Sequence, residues 1–176
     1  MATAGKGQIF ELRFEQFDVN QDGRIDRSDF DQEVNRLIRA FGADPDSPRA
    51  LVLRQSYLSV YEYLVSKADA KSGVLSRQEF VTAAKSAITD RGGVGFAEVM
   101  APYAYACANL CDIDGDGMIS QEELATWLTV IGVRTDAVGD AYQAIDTDKD
   151  GKISIGELVS AIKSYVLGES GIGMHG

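Results

Sequence analysis

The chain is poor in histidine, cysteine and basic charge. Its one histidine, His175, lies in a glycine-rich stretch from Gly168 to Gly176, which gives general acid–base chemistry no scaffold. Two cysteines do not make a disulfide framework. A zinc centre on Cys107 and Cys111 would need two further ligands at suitable spacing, and none is present. These absences point away from an enzyme. No apolar run approaches the roughly 20 residues that span a bilayer. The first residues, Met1 to Gln8, lack the basic-then-apolar layout of a secretory signal, so a cytoplasmic location is expected. With 17 Lys and Arg against 27 Asp and Glu, the formal charge is −10, unsuited to gripping nucleic-acid phosphates. A hydrophobic fraction of 45% excludes wholesale disorder. Such a chain suits cations.

The acidity is uneven. Residues 1–92 carry 14 acids and 13 bases, and residues 93–176 carry 13 acids and 4 bases. The acids of the second part alternate with other residues and are bracketed by apolar runs of helical period. Such spacing gathers carboxylates at one point, where they repel unless something positive intervenes. A fourfold repeat underlies the pattern. Gly23, Gly73, Gly117 and Gly151 are each followed two residues later by Ile25, Leu75, Ile119 and Ile153. Four residues further on stand Asp29, Glu79, Glu123 and Glu157. The intervening runs predict helices over 8–17, 27–41, 50–67, 77–89, 97–111, 121–131, 136–145 and 155–166. Ser47-Pro48 reads as a cap and first-turn proline, and Gly42 and Gly132 as helix ends. The connection after the second helix and Asp90–Gly93 read as linkers. Gly92–Gly95 lacks the Gly-Lys-Ser/Thr of a phosphate loop and reads as a hinge.

Two of the repeats match the twelve-residue calcium loop, with oxygens at positions 1, 3 and 5, glycine at 6 and glutamate at 12. The third loop offers Asp112, Asp114, Asp116, the carbonyl of Met118, Ser120 (through a water) and Glu123. The fourth offers Asp146, Asp148, Asp150, the carbonyl of Lys152, Ser154 (through a water) and Glu157. Calcium takes roughly 6–8 oxygens at about 2.3–2.6 Å, more than one regular helix can bring to a point. The first loop offers Asp18, Asn20, Asp22, the carbonyl of Arg24, Asp26 and Asp29. Aspartate at position 12 is one methylene short, which favours the smaller coordination of Mg²⁺, so this site is expected to take Ca²⁺ or Mg²⁺. The second loop places Ala68, Ala70 and Ser72 at positions 1, 3 and 5 and is expected to bind nothing. Its role would be to pair, Leu75 against Ile25, as Ile153 pairs with Ile119, in short antiparallel ribbons.

These residues resemble the EF-hand superfamily and, in the lapsed second hand and the aspartate closing the first, calerythrin and the invertebrate sarcoplasmic calcium-binding proteins. The resemblance covers about residues 8–167. It implies an all-α fold of four EF-hands in two pairs packed face to face into a compact globule, and a buffering or transporting role. The repeats set the pairs over 8–91 and 96–167, the glycine-rich 168–176 is expected to be a flexible tail, and the three acid-rich loops are expected to hold three calcium ions. EF-hand photoproteins share this architecture, but their chromophore cavity needs several histidines and tryptophans, and Trp127 stands alone here. The competing role is a sensor that exposes an apolar surface to a protein partner. Sensor grooves lean on methionine, and of Met1, Met100, Met118 and Met174 only Met100 falls on a helix. The aromatic stripe of Phe10, Phe14, Phe17, Phe30, Phe80, Tyr103, Trp127 and Tyr142 reads as a permanent core, which favours the buffer. Cys107 and Cys111 read as small buried hydrophobes. Nothing advertises an assembly surface, so a monomer is expected.

Overall fold

Apolar residues at three- and four-residue intervals fall on one face of a helix and bury it. In a computed structural model that describes residues 8–131 and 138–169, the helices are α1 (Gln8–Phe17), α2 (Arg27–Ala40), α3 (Pro48–Lys67), α4 (Arg77–Ala87), α5 (Gly92–Gly95), α6 (Ala101–Cys111), α7 (Gln121–Val130), α8 (Val138–Ile145) and α9 (Ile155–Val166). Four two-residue strands lie in the loops: β1 (Arg24–Ile25), β2 (Leu75–Ser76), β3 (Met118–Ile119) and β4 (Ile153–Ser154). The fold is all-α apart from these ribbons. Each expected helix lies within two residues of an observed one, except around the glycine-rich stretch. The predicted helix end at Gly132, the start at 136 and the tail beyond Glu169, including His175, lie outside the described residues.

The helix starts are written in the sequence. Ser47 accepts from the N–H of Ala50 with Pro48 in the first turn. At Asp26, Ser76, Ser120 and Ser154 a capping box closes, in which the acid three residues on answers the cap's own N–H. The final acid of each repeat therefore belongs to both the loop and the following helix.

β1 pairs antiparallel with β2, Ile25 opposite Leu75, and β3 with β4, Ile119 opposite Ile153. All four of these aliphatic residues are fully buried. The ribbons fix the loops in pairs, and the buried apolar residues form a single core. Phe17 stacks on Phe30 at 4.7 Å, Phe80, Tyr57 and Tyr61 close around them edge-on or tilted, and Phe14 meets Phe80 edge-on. Tyr57 of α3 meets Tyr103 of α6 at 4.8 Å, so the two halves share this cluster. Tyr142 departs from the expected core stripe. It is half-buried, and its hydroxyl donates to the carbonyls of Ile119 and Gly151, bracing the third and fourth loops.

The glycine-rich stretch, expected as a hinge, is helical from Gly92 onward. A 3-10 turn, Thr89–Arg91, leads into α5, then a π-helical segment, Phe96–Met100, and on into α6 without a break. The reason is close packing. A Cβ on Gly95 would lie 2.5 Å from the Ala87 carbonyl oxygen and 2.6 Å from that of Ile88. Glycine here lets this helix cross the end of α4. Among the described residues no helix is long and apolar enough to cross a membrane.

Candidate metal centres

Three loops share one ladder of hydrogen bonds from backbone to acid. The position-1 carboxylates reach forward over their own loops. Asp18 accepts from the N–H groups of Asp22 (3.0 Å) and Gly23 (2.9 Å), and Asp112 from those of Gly115, Asp116 and Gly117 (2.8, 3.1 and 3.0 Å). Asp146 accepts from Gly151 at 3.0 Å. At position 3, Asn20, Asp114 and Asp148 accept from the N–H of position 5, and at position 5, Asp22, Asp116 and Asp150 accept from Arg24, Met118 and Lys152. Short acidic side chains that bond the backbone two residues on stabilise turns. The turns here need the left-handed region at position 4 (Gln21, Gly115 and Lys149, φ 58°, 74° and 60°) and again at the central glycine, φ 79° to 87°.

The closing acids fold back across the loop. Glu123 accepts from the N–H of Ile113 (2.8 Å) and of Ser120 (2.8 Å), and Glu157 from those of Thr147 (2.8 Å) and Ser154 (2.9 Å). Burial opposes ionisation of Glu157, but these amides and the hydroxyls of Thr147 and Ser154 outweigh it and hold the carboxyl at about 2. Asp29 behaves otherwise. Burial, with the charges of Asp26 and Asp22, pushes it up from the ordinary carboxylate value despite the N–H groups of Asp26 and Asn20. Asp26 is held low, chiefly by Ser28. The position-9 oxygens are all turned to the helix start: Asp26 accepts from Ser28, Ser120 from Glu123 and Ser154 from Glu157.

Convergence differs between loops. Ligand atoms of Asp112, Asp114 and Asp116 lie within 4.8 Å of one another, as do those of Asp146, Asp148 and Glu157. Among the described residues, no three carboxylates of the first loop come so close. An amide stands at its third position, and Asp29 has the shorter arm. Two oxygens test whether a cation fits. Oδ1 of Asp29 and Oδ1 of Asp146 are buried, and among the described residues no donor makes a full hydrogen bond to either. A buried anionic oxygen without a partner costs free energy, which a hard dication at the centre of the loop would offset.

The second loop is built from other bonds. α3 ends in a Schellman motif, with Asp69 left-handed (φ 52°), its N–H on the carbonyl of Ser66 and the next N–H, of Ala70, on that of Val65. Main-chain carbonyls thus take the place of the missing carboxylates. Tyr61 donates to the Gly73 carbonyl at 2.5 Å, and Arg77 reaches from α4 to Glu11 and Glu15 of α1, both at 3.2 Å, over the face of Phe14.

Sequence reasoning missed these braces, and also Arg49, whose guanidinium grips the third loop from α3. Residues that act across the fold carry no local spacing to find them. The thiols are buried, and burial pushes Cys107 up to about 12.

The EF-hand family matches residues 10–34, 110–128 and 142–162, stretches that contain the three acid-rich loops. Calerythrin of Saccharopolyspora erythraea is 28% identical over 177 residues, covering all of both chains. A sarcoplasmic calcium-binding protein of Perinereis vancaurica tetradentata is 25% identical over 129 residues, 73% of this chain and 71% of its own. The solved structure of a Streptomyces coelicolor calcium-binding protein, tied to prokaryotic calcium-mediated regulation, is 33% identical. The likeness covers 94% of this chain and 99% of that one, with a TM-score of 0.75.

Proposed function

The chain belongs to the EF-hand family, and from that premise we propose that it binds three calcium ions and acts as a calcium buffer or transporter. The ligands would be Asp18, Asn20, Asp22, Asp26 and Asp29 with the Arg24 carbonyl in the first loop. Asp112, Asp114, Asp116, Ser120 and Glu123 with the Met118 carbonyl would serve the third. Asp146, Asp148, Asp150, Ser154 and Glu157 with the Lys152 carbonyl would serve the fourth. The second hand is lapsed and acts by pairing, which divides the chain into an N-terminal pair, 8–91, and a C-terminal pair, 96–167. The observation that carries the reading is the repeated acid ladder, with buried oxygens at Asp29 and Asp146 to which no donor among the described residues makes a full hydrogen bond. Bound calcium supplies charge neutralisation and cross-linking of each loop to its exit helix. Three ions would take the formal charge from −10 to −4.

Equilibrium dialysis tests the count. Three calcium ions should be retained by the native chain, and one by a Glu123→Gln, Glu157→Gln variant. Fewer than two on the native chain sinks the proposal. At the first site the short arm of Asp29 favours six-fold coordination, so millimolar Mg²⁺ should displace calcium there before it does so at the other two.

The competing reading is a calcium sensor. It draws on exposed Leu51 and Val52 of α3 and Tyr105 of α6, each at least half accessible. The aromatic core favours the buffer, since Phe14, Phe30 and Phe80 are fully buried, Phe14 against Phe80 and both Phe30 and Phe80 against Phe17, and leave little to uncover. A hydrophobic dye separates the two. Its fluorescence should stay flat or fall when calcium is added over magnesium, and a rise would favour the sensor.

A further inference from the structure

One peptide unit of the third loop is held from both sides. Its carbonyl, that of Asp112, accepts from Nη1 of Arg49 in the first turn of α3. Its N–H, that of Ile113, donates to Oε1 of Glu123 at 2.8 Å. Both Nη atoms of Arg49 also reach the Ile113 carbonyl at 3.4 Å. In the fourth loop the matching N–H, of Thr147, donates to Glu157 in the same way. Among the described residues no side chain answers there on the Asp146 carbonyl. Among the described residues, the third loop but not the fourth is thus held at this peptide by a side chain from a helix of the N-terminal half.

We infer that Arg49 is a positioning residue for the third metal site: it fixes the peptide that holds the closing glutamate, and so slows release of calcium from that loop. The inference rests on the reading of Glu123 as a calcium ligand. A cation on a carbonyl polarises the whole peptide group, which strengthens the N–H on its other end as a donor. With its fork bonded to two successive carbonyls, Arg49 also restrains the loop backbone at its first turn. Lysine, a point charge without the planar fork, cannot make both contacts at once.

Two other roles predict different behaviour. A bare charge would repel calcium, so its removal would slow release, and salt would screen the effect. A plain helix cap would act on α6, whose C-cap is Asp112, with or without metal.

The test uses the full chain with a Glu157→Gln background, which leaves the third loop as the C-terminal site, and follows calcium release into a fluorescent chelator by stopped flow. The release phase lost on adding Glu123→Gln belongs to the third loop. Arg49→Met and Arg49→Lys should both speed that phase by about threefold to tenfold, the loss of about one net hydrogen bond, at low and high salt alike. In a Glu123→Gln background the fourth loop should release at its native rate. An unchanged third-loop phase in both Arg49 variants overturns the inference, as does slower release in Arg49→Met that salt abolishes. So does a lowered melting temperature of the calcium-free protein without any change in release. If Glu123→Gln removes no phase, the calcium reading itself falls and takes this inference with it.

Discussion

At Gly95 there is no room for a methyl group. The carbonyl oxygens of Ala87 and Ile88 lie 2.5 and 2.6 Å from where a Cβ would stand, and both belong to backbone that cannot rotate away. Gly95→Ala should therefore cost about 1–3 kcal/mol, the usual range for overpacking. Gly139 gives the control. It is also helical, but its Cβ would meet only the end of the Gln121 side chain at 4.0 Å, so Gly139→Ala should be neutral or stabilise by up to about 1 kcal/mol through helix propensity. Urea unfolding at one calcium concentration measures both, and equal effects would refute the packing account. In the sequence these glycines look alike, because what distinguishes them is a neighbour's backbone brought close by the fold. The same holds for Tyr142. Its spacing with Val138 and Ile145 reads as core, yet its hydroxyl needs acceptors and finds them on two loop carbonyls.

Between elements, the second loop differs from the other three in more than its missing carboxylates. The acid ladder of the first, third and fourth loops requires left-handed backbone at position 4. In the second loop the left-handed residue ahead of the central Gly73 is Asp69, at position 2, because α3 closes on itself in a Schellman motif. Restoring ligands alone should then fail to restore a site. A variant with Ala68→Asp, Ala70→Asp and Ser72→Asp should bind no more calcium than the native chain by equilibrium dialysis, and one further ion bound would mean that carboxylates dictate the loop path. The ribbons, the capping boxes and the acid spacing were legible beforehand, since each is a contact between residues a few positions apart or an alignment of repeats. The Schellman stop was not, because its bonds run between main-chain groups that any sequence possesses. Nor was the π-helical segment before α6, which the crossing of α4 at Gly95 accompanies.

Across the whole molecule, the two halves meet at buried groups that resist ionisation. Half-buried Arg13 of α1 donates to the Tyr103 hydroxyl at 3.2 Å, and the Tyr57 hydroxyl donates to it at 3.4 Å. Cys107 lies among them, its thiol pushed up to about 12 by burial, and burial raises both tyrosines as well. An acid whose folded pKa is raised keeps in the native state a proton that the unfolded chain has already released. The native state then binds more protons than the unfolded one above the ordinary thiol value of 9.0, so stability falls as pH climbs from there toward 12. Calcium acts elsewhere, on the acidic loops. Binding to the native state alone adds about 1.4 kcal/mol per site for each tenfold rise in free calcium above the dissociation constant. The two effects should therefore superpose. Urea midpoints measured at pH 7, 9 and 10.5 should decline over the last step in calcium-free and calcium-saturated protein alike. Calcium should shift every midpoint upward, and Cys107→Ala should flatten the decline. A midpoint that holds constant to pH 10.5 would mean that water reaches Cys107 and the tyrosines, and that the junction between the halves is looser than its packing implies.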